Sequence, residues 1–239
     1  MDTSPDPPNH VASGALSPLE VALSHFLEDY LTDHKRELFA EKIAWRTGYV
    51  RVVLEDLYHS HNVSAILRSC ECFGVQYIHA LTDGDHNAQH FHPKVMRGAA
   101  KWLSVQTHTS YTDCRQALRQ SGIRTVALSP HATQTLDAID LSQPVALVFG
   151  REWEGLSDHI TTDETVKIPM YGFTESFNIS VAVALCLHAL VPRLHQQPPQ
   201  TWQLSTDEQA RVHLQWLRQA IQHSGPLEAH FRSRWAIRS

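Results

Sequence analysis

The chain has 239 residues, 42% of them apolar and 19% charged, the composition of a globular protein with one sizeable core. Lys and Arg number 20 against 25 Asp and Glu, so the formal charge is −5; a basic footprint over the whole chain is excluded, and any nucleic-acid contact must rest on a local patch. Four cysteines without a CxxC pair exclude a disulfide scaffold and suggest buried free thiols in a reducing compartment.

Residues 1–18 are rich in Pro, Ser and Asp, lack a basic segment and an apolar run, and read as a disordered tail without a secretory signal. A helical extension is expected over 19–48. Leu19, Leu23, Phe26, Leu27, Tyr30 and Leu31 recur at helical spacing, and Ser17-Pro18 supplies a cap and a first-turn proline. From residue 49 the pattern changes. Strands are predicted over 50–54, 75–81, 103–107, 124–128, 145–149 and 166–168, with helices over 62–73, 112–120 and 176–190. Such alternation predicts an α/β fold, a mostly parallel sheet covered on both faces, over about residues 49–192. Residues 193–239 read as a linker and a C-terminal helix opened by a Ser205–Glu208 capping box, with no second domain-sized core. The longest apolar stretch, near Val181–Leu190, is short of the roughly 20 residues that span a bilayer, so a cytoplasmic protein without membrane contact is expected.

Three polar segments follow predicted strands, the place where open α/β sheets bind ligands. The first contains His61, Asn62 and Arg68 in HNVSAILR; Asn62 can be an N-cap, and Arg68 can be a solvated helix residue or a phosphate contact. The second is Phe149-Gly150-Arg-Glu152-Trp-Glu-Gly155-Leu-Ser157. Its two glycines resemble a phosphate loop, but Leu-Ser stands where Lys-Ser/Thr is needed, and Glu152 and Glu154 would repel phosphates. With no GxGxxG in the chain, both a nucleoside triphosphate and a dinucleotide are disfavoured; a carboxylate-bearing loop suits a neutral or cationic ligand. The third is Ile168-Pro-Met170-Tyr-Gly172-Phe-Thr-Glu-Ser176-Phe177-Asn178-Ile-Ser180-Val-Ala, where Ser176 or Asn178 can cap the next helix.

Taken together, in this order and spacing, the three segments resemble the signature of the SpoU branch of the SPOUT RNA ribose 2′-O-methyltransferases, across about residues 50–190. The flanks, including Arg97-Gly-Ala-Ala-Lys101-Trp102 and the tail from Leu204 to Arg218, look like those of the tRNA guanosine-18 enzymes within it. The resemblance implies a sheet whose C-terminal segment forms a deep trefoil knot, and a homodimer with its active site at the subunit interface. It implies S-adenosyl-L-methionine as cofactor, held around Leu128, Gly150, Ile168, Met170 and Phe177, and no metal. It places Arg68 at the catalytic position, with Asn62, Glu152, Ser176 and Asn178 ordering the site. It also implies tRNA as partner. Candidate RNA contacts are His61, Lys35, Arg36, Arg46, Arg97, Lys101 and Arg193. One departure concerns the end of the third-motif helix, where relatives carry several basic residues and this chain has Pro192 and a nearly solitary Arg193. Alternatives are the same reaction on ribosomal RNA or another tRNA position, and a non-catalytic RNA-binding protein.

Overall fold

The computed structural model of the protein describes residues 14–55, 59–82, 98–151 and 155–237, and these fall into two compact units, 47–202 and a second made of both terminal segments. In the first, a seven-stranded sheet runs in the order β3-β2-β1-β6-β4-β7-β5. Its strands are β1 (Val50–Glu55), β2 (Tyr77–Leu81), β3 (Ser104–His108), β4 (Arg124–Leu128), β5 (Gln134–Thr135), β6 (Val145–Phe149) and β7 (Glu164–Lys167). Every described pairing is parallel. The α/β expectation therefore holds.

Alternation along the central strands distributes side chains to two faces. Val52, Leu54, Leu147 and Phe149 belong to the larger core, into which α3 (Ser60–Cys72) and α5 (Ile179–Leu194) send Val63, Ile66, Leu67, Val183, Leu187 and Leu190. Val53, Ala146 and Val148 belong to a smaller core completed by Tyr111, Cys114 and Leu118 of α4 (Tyr111–Gln120). Both faces being covered explains why β6 reads as an unbroken apolar run. Cys70, Cys114 and Cys186 are buried and free, and burial pushes their thiols up to about 12; Cys72, two residues from Cys70, is exposed.

Several boundaries differ from the sequence reading. β5 was not expected: two residues carry no periodicity. α5 begins at Ile179 rather than Ser176 because Asn178 is its cap, accepting from Ser180 N at 2.9 Å. It also continues through Pro192 to Leu194 instead of stopping before it. One backbone bond is lost at the proline, but buried Leu190, Val191 and Leu194 hold the last turn to the core.

The second unit replaces the expected single extension and single C-terminal helix. Residues 18–43 form α1 (Pro18–Glu28) and α2 (Asp33–Ile43), separated where Thr32 caps α2; the tail forms α7 (Thr206–Ala220) and α8 (Ser224–Trp235), after the one-turn α6 (Pro199–Trp202) of the first unit. Capping boxes at Ser17–Glu20 and Ser205–Glu208 open α1 and α7. α1 packs on α7 and α8, and α2 on α7. Buried Trp216 sits edge-on to Phe39 at 5.4 Å between ring centroids. The terminal segments thus share one core.

Asp163, just before β7, ties three elements of the sheet unit. Its Oδ2 accepts from Thr125 N and Oγ1, both at 2.8 Å, and its Oδ1 from Arg115 and Arg119, both at 3.0 Å. Burial opposes its charge, but the Thr125 bonds and the two guanidinium groups hold the carboxyl below its ordinary 3.8. A carboxylate depressed in the folded state contributes stability above its unfolded value and loses it as pH falls through the folded one. Asp163→Asn is expected to remove about 2 kcal/mol at neutral pH. That is a fall in Tm of about 4–8 °C for a chain of this size. Thermal unfolding followed by circular dichroism should show this gap at pH 7 and its progressive narrowing as pH falls below about 4. A gap independent of pH contradicts the assignment.

Candidate active site

A cavity of about 430 Å³ opens at the carboxyl ends of β4, β6 and β7. Its size is within the range of small-molecule sites, and its position is where parallel sheets bind ligands. Leu128 and Ser129 reach it from the end of β4, Phe149 and Gly150 from the end of β6, and Ile168 and Met170 from the segment after β7. Ser176, Phe177, Ile179 and Ala182 close it from the start of α5. All five residues expected around the cofactor, Leu128, Gly150, Ile168, Met170 and Phe177, therefore line one cavity, together with Ser176.

Backbone geometry builds one wall. After β6 the chain folds back into a tight hairpin in which Arg151 N donates to Gly155 O at 2.8 Å and Gly155 N to Arg151 O at 3.2 Å. Gly155 has φ +73°, a conformation that favours glycine. Gly150 is needed for a different reason. A Cβ there would overlap the carbonyl carbon of Gly155 and the amide nitrogen of Leu156.

The polar edge is built from two amides. Asn178, between the cavity-lining Phe177 and Ile179, donates from Nδ2 to Asn62 Oδ1 at 3.3 Å. Asn62 is only 5% exposed and lies in the first turn of α3, whose N-cap is His59; it is not the cap that its sequence position suggested. Arg68 is exposed on the same helix and is not among the residues lining this chain's cavity. Glu152 lies outside the described residues, as does Arg97.

The expected RNA contacts separate into two groups. His61 is exposed, its ring 5.6 Å from that of His59. Lys35 is exposed and donates to Ala220 O at 3.4 Å, Arg36 bonds Glu28 O and Asp33, and Lys101 lies half-buried with Nζ 4.5 Å from the Trp102 ring centroid. Two others make contacts within the fold. Arg46 is 3% exposed, its guanidinium over the Trp216 ring at 5.1 Å, and so belongs to the core of the second unit. Arg193 donates to Leu136 O at 3.2 Å and Ile139 O at 2.8 Å, fastening α5 to the segment after β5.

Ser129, His131, Arg151 and Glu175 also line the cavity, and sequence reasoning did not single them out. Their only signal is position, polar residues within a few places of a strand end or a helix start. Away from the cavity, ligand atoms of His79, His108 and Cys114 lie within 4.8 Å of one another. Burial, the Arg51 charge and His108 hold His79 well below the usual imidazole range. The same Arg51 charge opposes a dication there.

A parallel α/β sheet with a ligand-sized cavity at its strand ends, walled by backbone at two glycines and edged by paired amides, defines a small-ligand-binding enzyme-type fold. Residues 49–188 match the model of the SpoU rRNA Methylase family, and the chain belongs to that family. The tRNA (guanosine(18)-2′-O)-methyltransferase of Borreliella burgdorferi is 32% identical over 200 residues, covering 82% of this chain and 90% of that protein. The crystal structure of the A. aeolicus TrmH/SpoU tRNA modifying enzyme matches 84% of this chain and all of its own, with a TM-score of 0.68 and 24% identity. The SpoU methyltransferase AviRb from Streptomyces viridochromogenes, solved with the cofactor AdoMet, matches 66% of this chain and 62% of its own at a TM-score of 0.54 and 23% identity. These two structures bear on the fold alone.

The hairpin supplies a test with its own control. Gly150→Ala must push backbone apart and is expected to cost about 2 kcal/mol, a fall in Tm of about 4–8 °C. Gly172→Ala, where an added Cβ meets nothing within 4 Å, should melt within about 1 °C of wild type. Equal melting of both variants would show that the hairpin does not need the close approach.

Proposed function

We propose that this protein transfers the methyl group of S-adenosyl-L-methionine to the ribose 2′-hydroxyl of guanosine 18 in tRNA. The observation that carries this reading is the convergence of Leu128, Gly150, Ile168, Met170, Phe177 and Ser176 on one cavity of about 430 Å³. The naming of the Borreliella burgdorferi relative as a tRNA (guanosine(18)-2′-O)-methyltransferase supports the substrate.

The cavity fits the methyl donor on three counts. Leu128, Phe149, Ile168 and Phe177 offer apolar surface to an adenine. The missing Cβ of Gly150 keeps a backbone wall that a side chain would fill. Glu175 provides a carboxylate suited to a cationic ligand. When bound, S-adenosylmethionine supplies an activated methyl carbon on a sulfonium, so that the sulfur takes the electron pair of the broken C–S bond as the 2′-oxygen forms its bond to carbon. The residues must then orient the hydroxyl and help it lose a proton. Asn62 and Asn178, already bonded to each other, present a fixed amide edge beside the cavity. Ser176, which lines the cavity, and Glu152, by its place in the second motif, are assigned to ordering the site in this proposal.

Arg68 is the catalytic cation of this reading. A guanidinium keeps its charge at neutral pH, so it acts as an electrostatic clamp on the developing alkoxide, with a substrate phosphate as proton acceptor. Since Arg68 does not line its own chain's cavity, a second copy of the chain supplies it, making the active unit a homodimer with composite sites. The trefoil threading of the segment after β7 belongs to the same reading. RNA is held by phosphate contacts from His61, Lys35, Arg36, Arg97 and Lys101.

Methylation of an unmodified tRNA transcript, mapped at nucleotide resolution, should give a single 2′-O-methyl group at guanosine 18. A mark elsewhere, on ribosomal RNA only, or nowhere would refute the assignment. Arg68→Ala is expected to lower turnover by about 100-fold or more, with binding of S-adenosylhomocysteine within about threefold of wild type. Composite sites make a further demand. Mixing Arg68→Ala with an inactive Gly150 variant under subunit exchange should restore about a quarter of wild-type turnover, because half the dimers are mixed and each holds one intact site. No recovery would place Arg68 in its own chain's site.

A further inference from the structure

Glu55, the last residue of β1, belongs to none of the three motifs. It is 3% exposed, and a carboxylate buried to that degree costs several kcal/mol unless partners compensate it. Its partners among the described residues lie close together in sequence. Its Oε2 accepts from Ser157 N at 3.1 Å, and its Oε1 lies 3.8 Å from Arg151 Nε. Register explains how it arrives there. Leu54 of β1 is opposite Phe149 of β6, so the next residue of β1 stands beside the start of the hairpin that follows Phe149.

Arg151 and Ser157 bracket that hairpin, the first at its closing pair with Gly155 and the second two residues past it. Between and beside them lie Gly150, Gly155 and Leu156, which with Arg151 itself form one wall of the cavity. Glu55 is not among the lining residues, so any effect it has on a ligand must pass through the hairpin. A neutral side chain of the same shape could still accept from Ser157 N, but it could not attract the Arg151 guanidinium. Only the second contact distinguishes a carboxylate from an amide at this point.

We propose that Glu55 is a positioning residue for the methyl-donor cavity, its carboxylate holding residues 150–151 and 155–157 in the geometry that the donor meets. This rests on the reading that the cavity takes S-adenosylmethionine. A purely structural glutamate would alter melting alone; a positioning one changes donor affinity while sparing tRNA affinity and turnover at saturation.

The test is Glu55→Gln in the full-length protein, with S-adenosylhomocysteine binding measured by calorimetry and steady-state methylation of tRNA measured alongside. Expected are a Kd and a KM for the donor raised about tenfold, with kcat at saturating donor within about threefold and KM for tRNA unchanged. Arg151→Met, at a partly exposed side chain, should weaken donor binding about fivefold in the wild-type background and less than about twofold once residue 55 is Gln, since the two groups act together. Unchanged donor binding in Glu55→Gln, or equal losses from Arg151→Met in both backgrounds, overturns the assignment. If Glu55→Gln does not fold, Glu55→Asp, charged but shorter by one methylene, takes its place in the same comparison. Wild-type binding separates the two levels. If the wild type binds no S-adenosylhomocysteine, the donor reading itself fails; if wild type and variant bind equally, only the role of Glu55 fails.

Discussion

The close approach of Gly150 and Arg151 to Gly155 and Leu156 is the constraint on which the candidate site depends. A strand that leaves a parallel sheet ordinarily runs on into a helix, but here it doubles back at once, and Gly150 comes so close to Gly155 and Leu156 that no Cβ fits. The result is a wall of peptide backbone instead of side chains. Its groups are fixed by Arg151–Gly155 pairing, by the left-handed conformation of Gly155 and by the buried carboxylate of Glu55. A flat ligand can lie against such a wall with little ordering left to do on binding.

The rest of the sheet delivers complementary surfaces to that wall. β4 and β7 pair in parallel, so Leu128 and the segment beginning at Ile168 emerge at the same end. α5 starts beside them, and its cap residue Asn178 also meets Asn62 of α3, so one side chain terminates a helix and joins two motifs distant in sequence. Apolar walls with a narrow polar edge suit a reaction in which the activated carbon comes with its own leaving group and the protein mainly places an oxygen. Arg68, the cation assigned to the reaction, is not among the residues lining its own chain's cavity. Arg68 faces solvent, which is why the proposed reaction needs a second subunit.

Much of this was legible in sequence where a pattern has one physical cause. The apolar runs of β1, β4 and β6, the Ser17 cap, the Ser205 capping box and the three polar segments after strands were all visible. What escaped were features set by tertiary contact. Arg46 looks like any surface cation, and nothing local reveals that its guanidinium lies over Trp216, 170 positions later in the chain (216 − 46). Arg193 stood out as an isolated charge, yet two of its N–H groups bond carbonyls of Leu136 and Ile139. Pro192 suggested a stop, but burial on both sides of it outweighs one lost hydrogen bond. Glu55 carries no motif at all, and its role follows only from the register of β1 with β6. The two terminal segments likewise gave no sign that they build one core.

The central claim is that a methyl donor lies in the cavity between β4, β6 and β7 with an arginine of a second subunit beside its sulfur. A crystal structure of the protein with S-adenosylhomocysteine tests it most directly. The account predicts adenine between Leu128, Ile168 and the Gly150 backbone, and the guanidinium of the other subunit's copy of Arg68 facing the thioether. Ligand bound elsewhere, or a cavity holding it with both arginines far from the sulfur, would contradict the account.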